Sequence, residues 1–81
     1  MFYVYVLRSE KTSRFYVGSA TNVERRLAQH NGGHTASTKP YRPWQLVYSE
    51  PFPTTAEAHA RERQIKRWKN PAYMVKSLGI R

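Results

Sequence analysis

Residues 2–7, Phe2-Tyr3-Val4-Tyr5-Val6-Leu7, offer apolar groups to both faces of an extended chain. β-branched and aromatic side chains predict a strand there, with Tyr3, Tyr5 and Leu7 on one face and Phe2, Val4 and Val6 on the other. A strand that is apolar on both faces must be central and covered on both sides. A polar stretch over 9–13 turns the chain back into a second strand at Arg14-Phe15-Tyr16-Val17-Gly18, which predicts a hairpin. With 81 residues in all, the chain has room for one domain (1–81), burying only ~60% of its unfolded surface.

The remaining elements follow from stop and start signals. Thr21-Asn22-Val23-Glu24 has the form of a capping box, with Thr21 as the cap, and predicts a helix from Asn22 to Asn31 stopped by Gly32-Gly33. Val23, Leu27 and His30 form one stripe of that helix, with Arg26 on its edge. His34 to Pro43 reads as a loop, and Trp44 to Tyr48 as a third strand, broken off by Pro51 and Pro53. Thr54-Thr55-Ala56-Glu57 is a second capping box, and its helix should reach Trp68 or Lys69. Asn70-Pro71 caps and starts a short last helix that Gly79 ends. The expected fold is a small α/β domain of the α+β kind, a three-stranded antiparallel sheet flanked by helices in the order β-β-α-β-α-α.

Charge narrows the partner. Fourteen Lys and Arg stand against five acids, a formal charge of +9, with no Asp. Such an excess implies a polyanionic partner, with nucleic acid ahead of an anionic membrane surface. Arg14, Arg25, Lys39, Arg42, Lys66 and Arg67 are the candidate phosphate contacts. A structural nucleic-acid binder accounts for the same charge without any chemistry. With no Cys there is no disulfide framework or thiolate zinc site. The absence of a leader pattern or a long apolar run predicts a cytoplasmic protein.

A few residues carry reactive chemistry. Ala58, Glu62, Ile65 and Lys69 lie on one row of the second long helix, whose apolar members mark its inward face. A carboxylate there needs a partner: a metal ion, or an arginine such as Arg26. Glu24 and Glu57 are taken by capping boxes, Glu10 lies in the hairpin loop and Glu50 precedes a proline, so the one free carboxylate suffices for one ion at most, held mostly by water and phosphate as suits Mg2+. Tyr5 and Tyr16 are either core aromatics or proton-handling phenols. A phenol titrates near ~10 and serves as a base at neutral pH only beside a cation or metal-bound water. Arg26 can favour the phenolate and clamp a phosphate oxygen. His30 can pass a proton or simply close the stripe, and His34 and His59 read as loop and surface residues.

In this pattern the chain resembles the GIY-YIG nuclease family, most closely its small single-domain bacterial members. Tyr3-Val4-Tyr5 stands where the first tripeptide belongs and Tyr16-Val17-Gly18 where the second does. Tyr16 lies eleven positions after Tyr5, and Arg26 ten positions after Tyr16. The stretches from Glu24 to Gly33, Arg42 to Tyr48 and Arg61 to Lys66 are similar to that group as well. The resemblance implies endonuclease chemistry on DNA, of a kind that serves repair or recombination, dependent on one Mg2+ or Mn2+ ion. It implies catalytic roles for Tyr5, Tyr16 and Arg26, a metal at Glu62, and a match at His30 to a histidine found in part of the family. The first tripeptide lacks its glycine and isoleucine, and Asn70 stands too close to Glu62 to match the family's asparagine.

Two functions remain open from the sequence: a metal-dependent DNA endonuclease, and a nucleic-acid-binding module with a vestigial nuclease site. The intact set of Tyr5, Tyr16, Arg26 and Glu62 favours the enzyme. A domain this small has little surface for choosing a target, which leaves room for a protein partner or a homodimer.

Overall fold

Both faces of the first strand are covered, as its composition demands. A computed structural model describes residues 1–80. Three strands, β1 (Phe2–Ser9), β2 (Phe15–Ala20) and β3 (Trp44–Phe52), form an antiparallel sheet in the order β2-β1-β3. Helix α1 (Val23–Asn31) packs on one face; α2 (Thr55–Arg67) and α3 (Pro71–Leu78) pack on the other. The α+β class and the order β-β-α-β-α-α are as expected.

Strand alternation divides the core in two. Val4 and Val6 point toward α2 and α3, where they meet Ala58, Ile65, Met74 and Ile80. Tyr5 and Leu7 point the other way and pack with Trp44, Tyr16, Val23 and Leu27. Between β1 and β3 the register jumps from Val6↔Tyr48 to Leu7↔Leu46, leaving Val47 as an extra residue. This bulge lets Val47 and Tyr48 both pack on the α2 side.

Five element ends differ from those expected. Asn22, not Thr21, caps α1, its side chain accepting from the Arg25 amide at 3.0 Å. Asn is at least as good a cap as Thr, and the shift puts Glu24 one place short of the reciprocal position, so no capping box forms there. β1 and β2 run on to Ser9 and Ala20. β3 continues through Pro51, which pairs with Tyr3. On an edge strand the amide that proline lacks can face solvent, leaving no ladder bond unmade. Helix α2 stops at Arg67 because Trp68 leaves the helical region (ψ 89°), its ring packing against the core and edge-on to Tyr73.

The other caps stand as expected, except that among the described residues the Glu57 side chain makes no return bond to Thr54, so the second capping box is only half formed. Thr54 Oγ1 accepts from the Glu57 amide at 3.2 Å, Asn70 caps α3 with Pro71 at its first position, and Gly79 ends it at φ 68°. Only a residue without Cβ takes that last conformation at little cost.

Candidate active site

Three elements deliver four side chains to the α1 face of the sheet. β1 supplies Tyr5, β2 supplies Tyr16, and α1 supplies Arg26 and, one turn later, His30. The hairpin register pairs Tyr5 with Gly18 and Leu7 with Tyr16, so the phenols are diagonal neighbours with ring centroids 6.3 Å apart. The His30 ring lies 4.6 Å from the Tyr16 ring and 6.3 Å from the Tyr5 ring. Gly18 is what lets the phenols approach β2 so closely. A Cβ there would stand 2.7 Å from Tyr5 Oη and 3.1 Å from Tyr16 Cε2.

Tyr5 and His30 are fully buried, whereas Tyr16 and Arg26 are partly exposed. Tyr5 Oη lies 3.3 Å from His30 Nε2, and His30 Nδ1 lies 2.9 Å from Thr38 Oγ1. Burial holds the imidazole below its ordinary range, and the positive charge of Arg26 adds to the effect, so His30 is neutral at neutral pH. Burial also pushes the Tyr5 phenol up, more than Arg26 pulls it down. Arg26 therefore does not make Tyr5 a phenolate, contrary to the expectation from charge alone: desolvation outweighs one guanidinium.

Arg26 itself lies beside the phenols. Tyr5 raises its affinity for its proton, and its Nη1 donates to Gln29 Oε1 at 3.3 Å. Its Nε is buried and has no hydrogen-bond partner among the described residues, nor does any carboxylate there pair with it. A buried donor left unmade is costly. The same geometry is ready for an anion.

Glu62 comes from the opposite layer. Its Oε1 accepts from Ser19 Oγ at 2.7 Å and its Oε2 from Lys66 Nζ at 2.6 Å. The carboxylate thus stands at the edge strand β2, beside the residue that follows Gly18, rather than among the rings. The alternative of an ion pair with Arg26 is not realised, because the two residues approach from opposite sides of the sheet. Burial pushes the Glu62 carboxyl up, but Lys66 and Ser19 together outweigh it and hold it below the usual range. Its charge still reaches Tyr5, helping to raise that phenol.

Among the described residues, no three His, Cys, Asp or Glu side chains gather where they could hold a metal ion. A tetrahedral zinc cage therefore does not fit. A hard divalent ion asks for fewer protein ligands, and Glu62 is the carboxylate that would hold it, with water for the rest. Lys66 is half exposed on a flexible stem, and a pair of this kind is worth little, so the ammonium is easily displaced.

The candidate phosphate contacts all lie in exposed positions. Among them only Lys66 pairs with an acid in the described residues. Arg14 sits over the Tyr41 ring at 4.5 Å. Lys39 and Arg42, with Lys11, line an open cleft of about 620 Å3, where Arg42 Nε is fixed on the Lys39 carbonyl at 3.0 Å. Arg25 is on the outer face of α1 and Arg67 ends α2. No helix among the described residues is long and apolar enough to cross a membrane.

Two residues at the site carry no sequence signal of their own. Ser19 holds Glu62 across 43 positions, and Thr38 holds His30 from within the loop. Ser19 was legible only as the residue after Gly18, and Thr38 is one of several hydroxyls in an irregular segment.

Residues 1–76 match the family described as the GIY-YIG catalytic domain. The UPF0213 protein of Staphylococcus haemolyticus is 48% identical over 65 residues, which are 79% of this chain and 78% of that one. A UPF0213 protein of Streptococcus pneumoniae is 40% identical over 70 residues, 85% of this chain and 70% of its own. The solution NMR structure of a UPF0213 protein from Bacillus halodurans superposes with a TM-score of 0.54 at 31% identity, covering 90% of this chain and 79% of that one.

Proposed function

The chain belongs to the GIY-YIG catalytic-domain family, and from that premise we propose that it is a metal-dependent endonuclease hydrolysing DNA phosphodiester bonds. The observation that carries the reading is Arg26. It is a cation with an unpartnered buried Nε, placed beside two phenols and a neutral imidazole, and lacking a carboxylate of its own among the described residues. Its guanidinium offers paired donors to phosphate oxygens and stabilises the charge that builds on them in the transition state.

The phenols divide the work by exposure. Tyr16, partly open to solvent, is the one that substrate and attacking water can reach, and it handles the proton on that side. Tyr5, neutral and fully buried, sets the inner wall of the site together with His30. Glu62 would hold one Mg2+ or Mn2+ ion after Lys66 swings away. When bound, that ion supplies positive charge for phosphate oxygens and activates water. Arg14, Arg25, Lys39, Arg42, Lys66 and Arg67 attract and orient the DNA backbone.

The experiment is nicking of supercoiled plasmid and branched DNA in Mg2+ or Mn2+, with Glu62→Ala and Arg26→Ala alongside. Wild type nicks, and Arg26→Ala is slower by on the order of 10²–10³-fold, the scale of losing one preorganised donor to a developing oxyanion. Glu62→Ala loses the metal-dependent rate. Equal nicking by all three proteins removes the enzyme reading. DNA binding that weakens steeply with salt, with no cleavage by wild type, selects the alternative: a binding module whose Glu62 stays locked on Lys66.

A further inference from the structure

The His30 ring has two nitrogens and two partners, and its surroundings fix which nitrogen carries the proton. Thr38 Oγ1 donates to the Thr35 carbonyl at 3.3 Å. Having given its one proton there, the hydroxyl can only accept from His30, so Nδ1 carries the hydrogen of the 2.9 Å contact. Nε2 is then a lone pair that accepts from Tyr5 Oη at 3.3 Å. The far end agrees. Arg26 faces Tyr5, and a guanidinium repels a hydroxyl proton, so the Tyr5 hydrogen turns inward to His30 and its oxygen lone pairs turn outward.

Thr38 is 2% exposed and is itself fixed. Its carbonyl accepts from Trp44 Nε1 at 3.0 Å, and its amide donates to the Thr35 carbonyl at 3.2 Å. The loop is anchored again three residues on, where Ser9 Oγ donates to the Tyr41 carbonyl at 2.6 Å. This is a buried polar chain in which each hydroxyl and ring nitrogen has its partner, an arrangement that rigidifies what it holds.

We infer that Thr38 is a positioning residue. Through His30 it fixes the direction of the Tyr5 hydroxyl, so that the buried Tyr5 oxygen turns lone pairs rather than a proton toward Arg26, the residue that meets the phosphate. Its catalytic consequence rests on the nuclease reading; the hydrogen-bond direction does not. Thr38 is also followed directly by Lys39, which lines the basic cleft with Lys11 and Arg42. The segment that holds the imidazole is therefore continuous with a phosphate-binding surface.

The test has a spectroscopic arm and a kinetic arm. Long-range ¹H–¹⁵N NMR of the wild-type protein at neutral pH should show His30 as the Nδ1–H tautomer. Thr38→Val keeps the shape and removes the acceptor, so the Nε2–H form should rise, and Thr38→Ser should restore the wild-type pattern. In plasmid nicking, Thr38→Val should lower kcat by roughly ten- to a hundred-fold, as outer partners of metal-bound histidines do, with KM little changed and Thr38→Ser restoring kcat. An Nε2–H tautomer in the wild type overturns the inference, and that measurement needs no variant to fold. A kcat unchanged by Thr38→Val in an active enzyme overturns it too. A wild type that shows the Nδ1–H tautomer and Thr38 dependence but never cleaves DNA sustains the positioning and defeats only the nuclease reading.

Discussion

The two faces of the sheet solve different problems with the same strand. Toward α2 and α3, β1 turns Val4 and Val6 into a cluster of Ala58, Ile65, Met74 and Ile80 that contains no polar side chain. Toward α1 it turns Tyr5 and Leu7 into a layer that also holds the buried polar side chains among the described residues, Ser9, His30 and Thr38. Burial of polar groups costs free energy unless they are paired. The α1 face meets that cost with hydrogen bonds through Thr38 and Tyr41, whereas the apolar face meets it only at its rim, where half-buried Tyr48 and Arg61 donate to Glu50. One layer supplies stability with little chemistry, and the other holds chemistry in place. Glu62 is the exception, a reactive group of the apolar layer that bonds Ser19 of the edge strand β2.

The sharpest way to break this contrast is to cut the apolar face alone. Ile65→Ala should lose about 2–5 kcal/mol of stability, the usual range for truncating a fully buried aliphatic side chain, while cleavage per folded molecule stays near wild type. Urea titration and nicking at low temperature check it. A folded but inactive Ile65→Ala would show that the layers are not separable.

Gly18→Ala tests the close approach on the polar face. The new Cβ meets Tyr5 Oη at 2.7 Å, and a fully buried Tyr5 has nowhere to retreat. Overpacking should cost about 1–3 kcal/mol and displace the phenol from His30, visible as a changed His30 NMR signal. An unchanged signal would mean that the β2 backbone yields instead.

The polar face should also make stability depend on pH. His30 binds its proton less readily folded than unfolded, so the unfolded chain takes up more protons once the pH falls below about 6.5. Its contribution is complete above that value and is lost as pH falls through the lower, folded-state value. Urea midpoints should thus fall between pH 7 and pH 5, above the lowered range of Glu62, and the fall should be shallower in His30→Gln. Identical slopes for the two proteins would place the pH sensitivity elsewhere.

The smallest effect on stability is expected at Lys66→Met. The lysine is half exposed and pairs with Glu62 one turn back on its own helix, so the loss should stay within about 0.5 kcal/mol. With its strongest partner gone, the Glu62 carboxyl should titrate higher and bind Mn2+ more tightly in calorimetry. Weaker Mn2+ binding would argue that Lys66 orients the carboxylate rather than blocks it.

Much of this was written along the chain. The two-sided apolarity of Phe2 to Leu7 required a central strand, and local caps at Thr54 and Asn70 and the stop at Gly79 set three helix ends. These are short-range signals, decided by side-chain alternation and by which residue can satisfy or end a helix. The cap at Asn22, by contrast, could not be separated from Thr21 by local chemistry, since either residue can cap. The continuation of β3 past Pro51 depended on its being an edge strand, which is a property of the sheet and not of the segment.

At the site, sequence spacing picked out Tyr5, Tyr16, Arg26, His30 and Glu62, because strand alternation and helical period place residues on faces. It did not determine their electrical state. Whether Tyr5 is a phenol or a phenolate turns on how deeply it is buried against how near Arg26 lies, and only the packed structure sets both. Nor did it determine partners. Glu62 rests on Lys66 and Ser19, and His30 rests on Thr38, because the carboxylate's hydroxyl partner and the imidazole's acceptor come from other segments. Periodicity along one element says which way a side chain points. What it meets there is decided by the element that tertiary folding brings across.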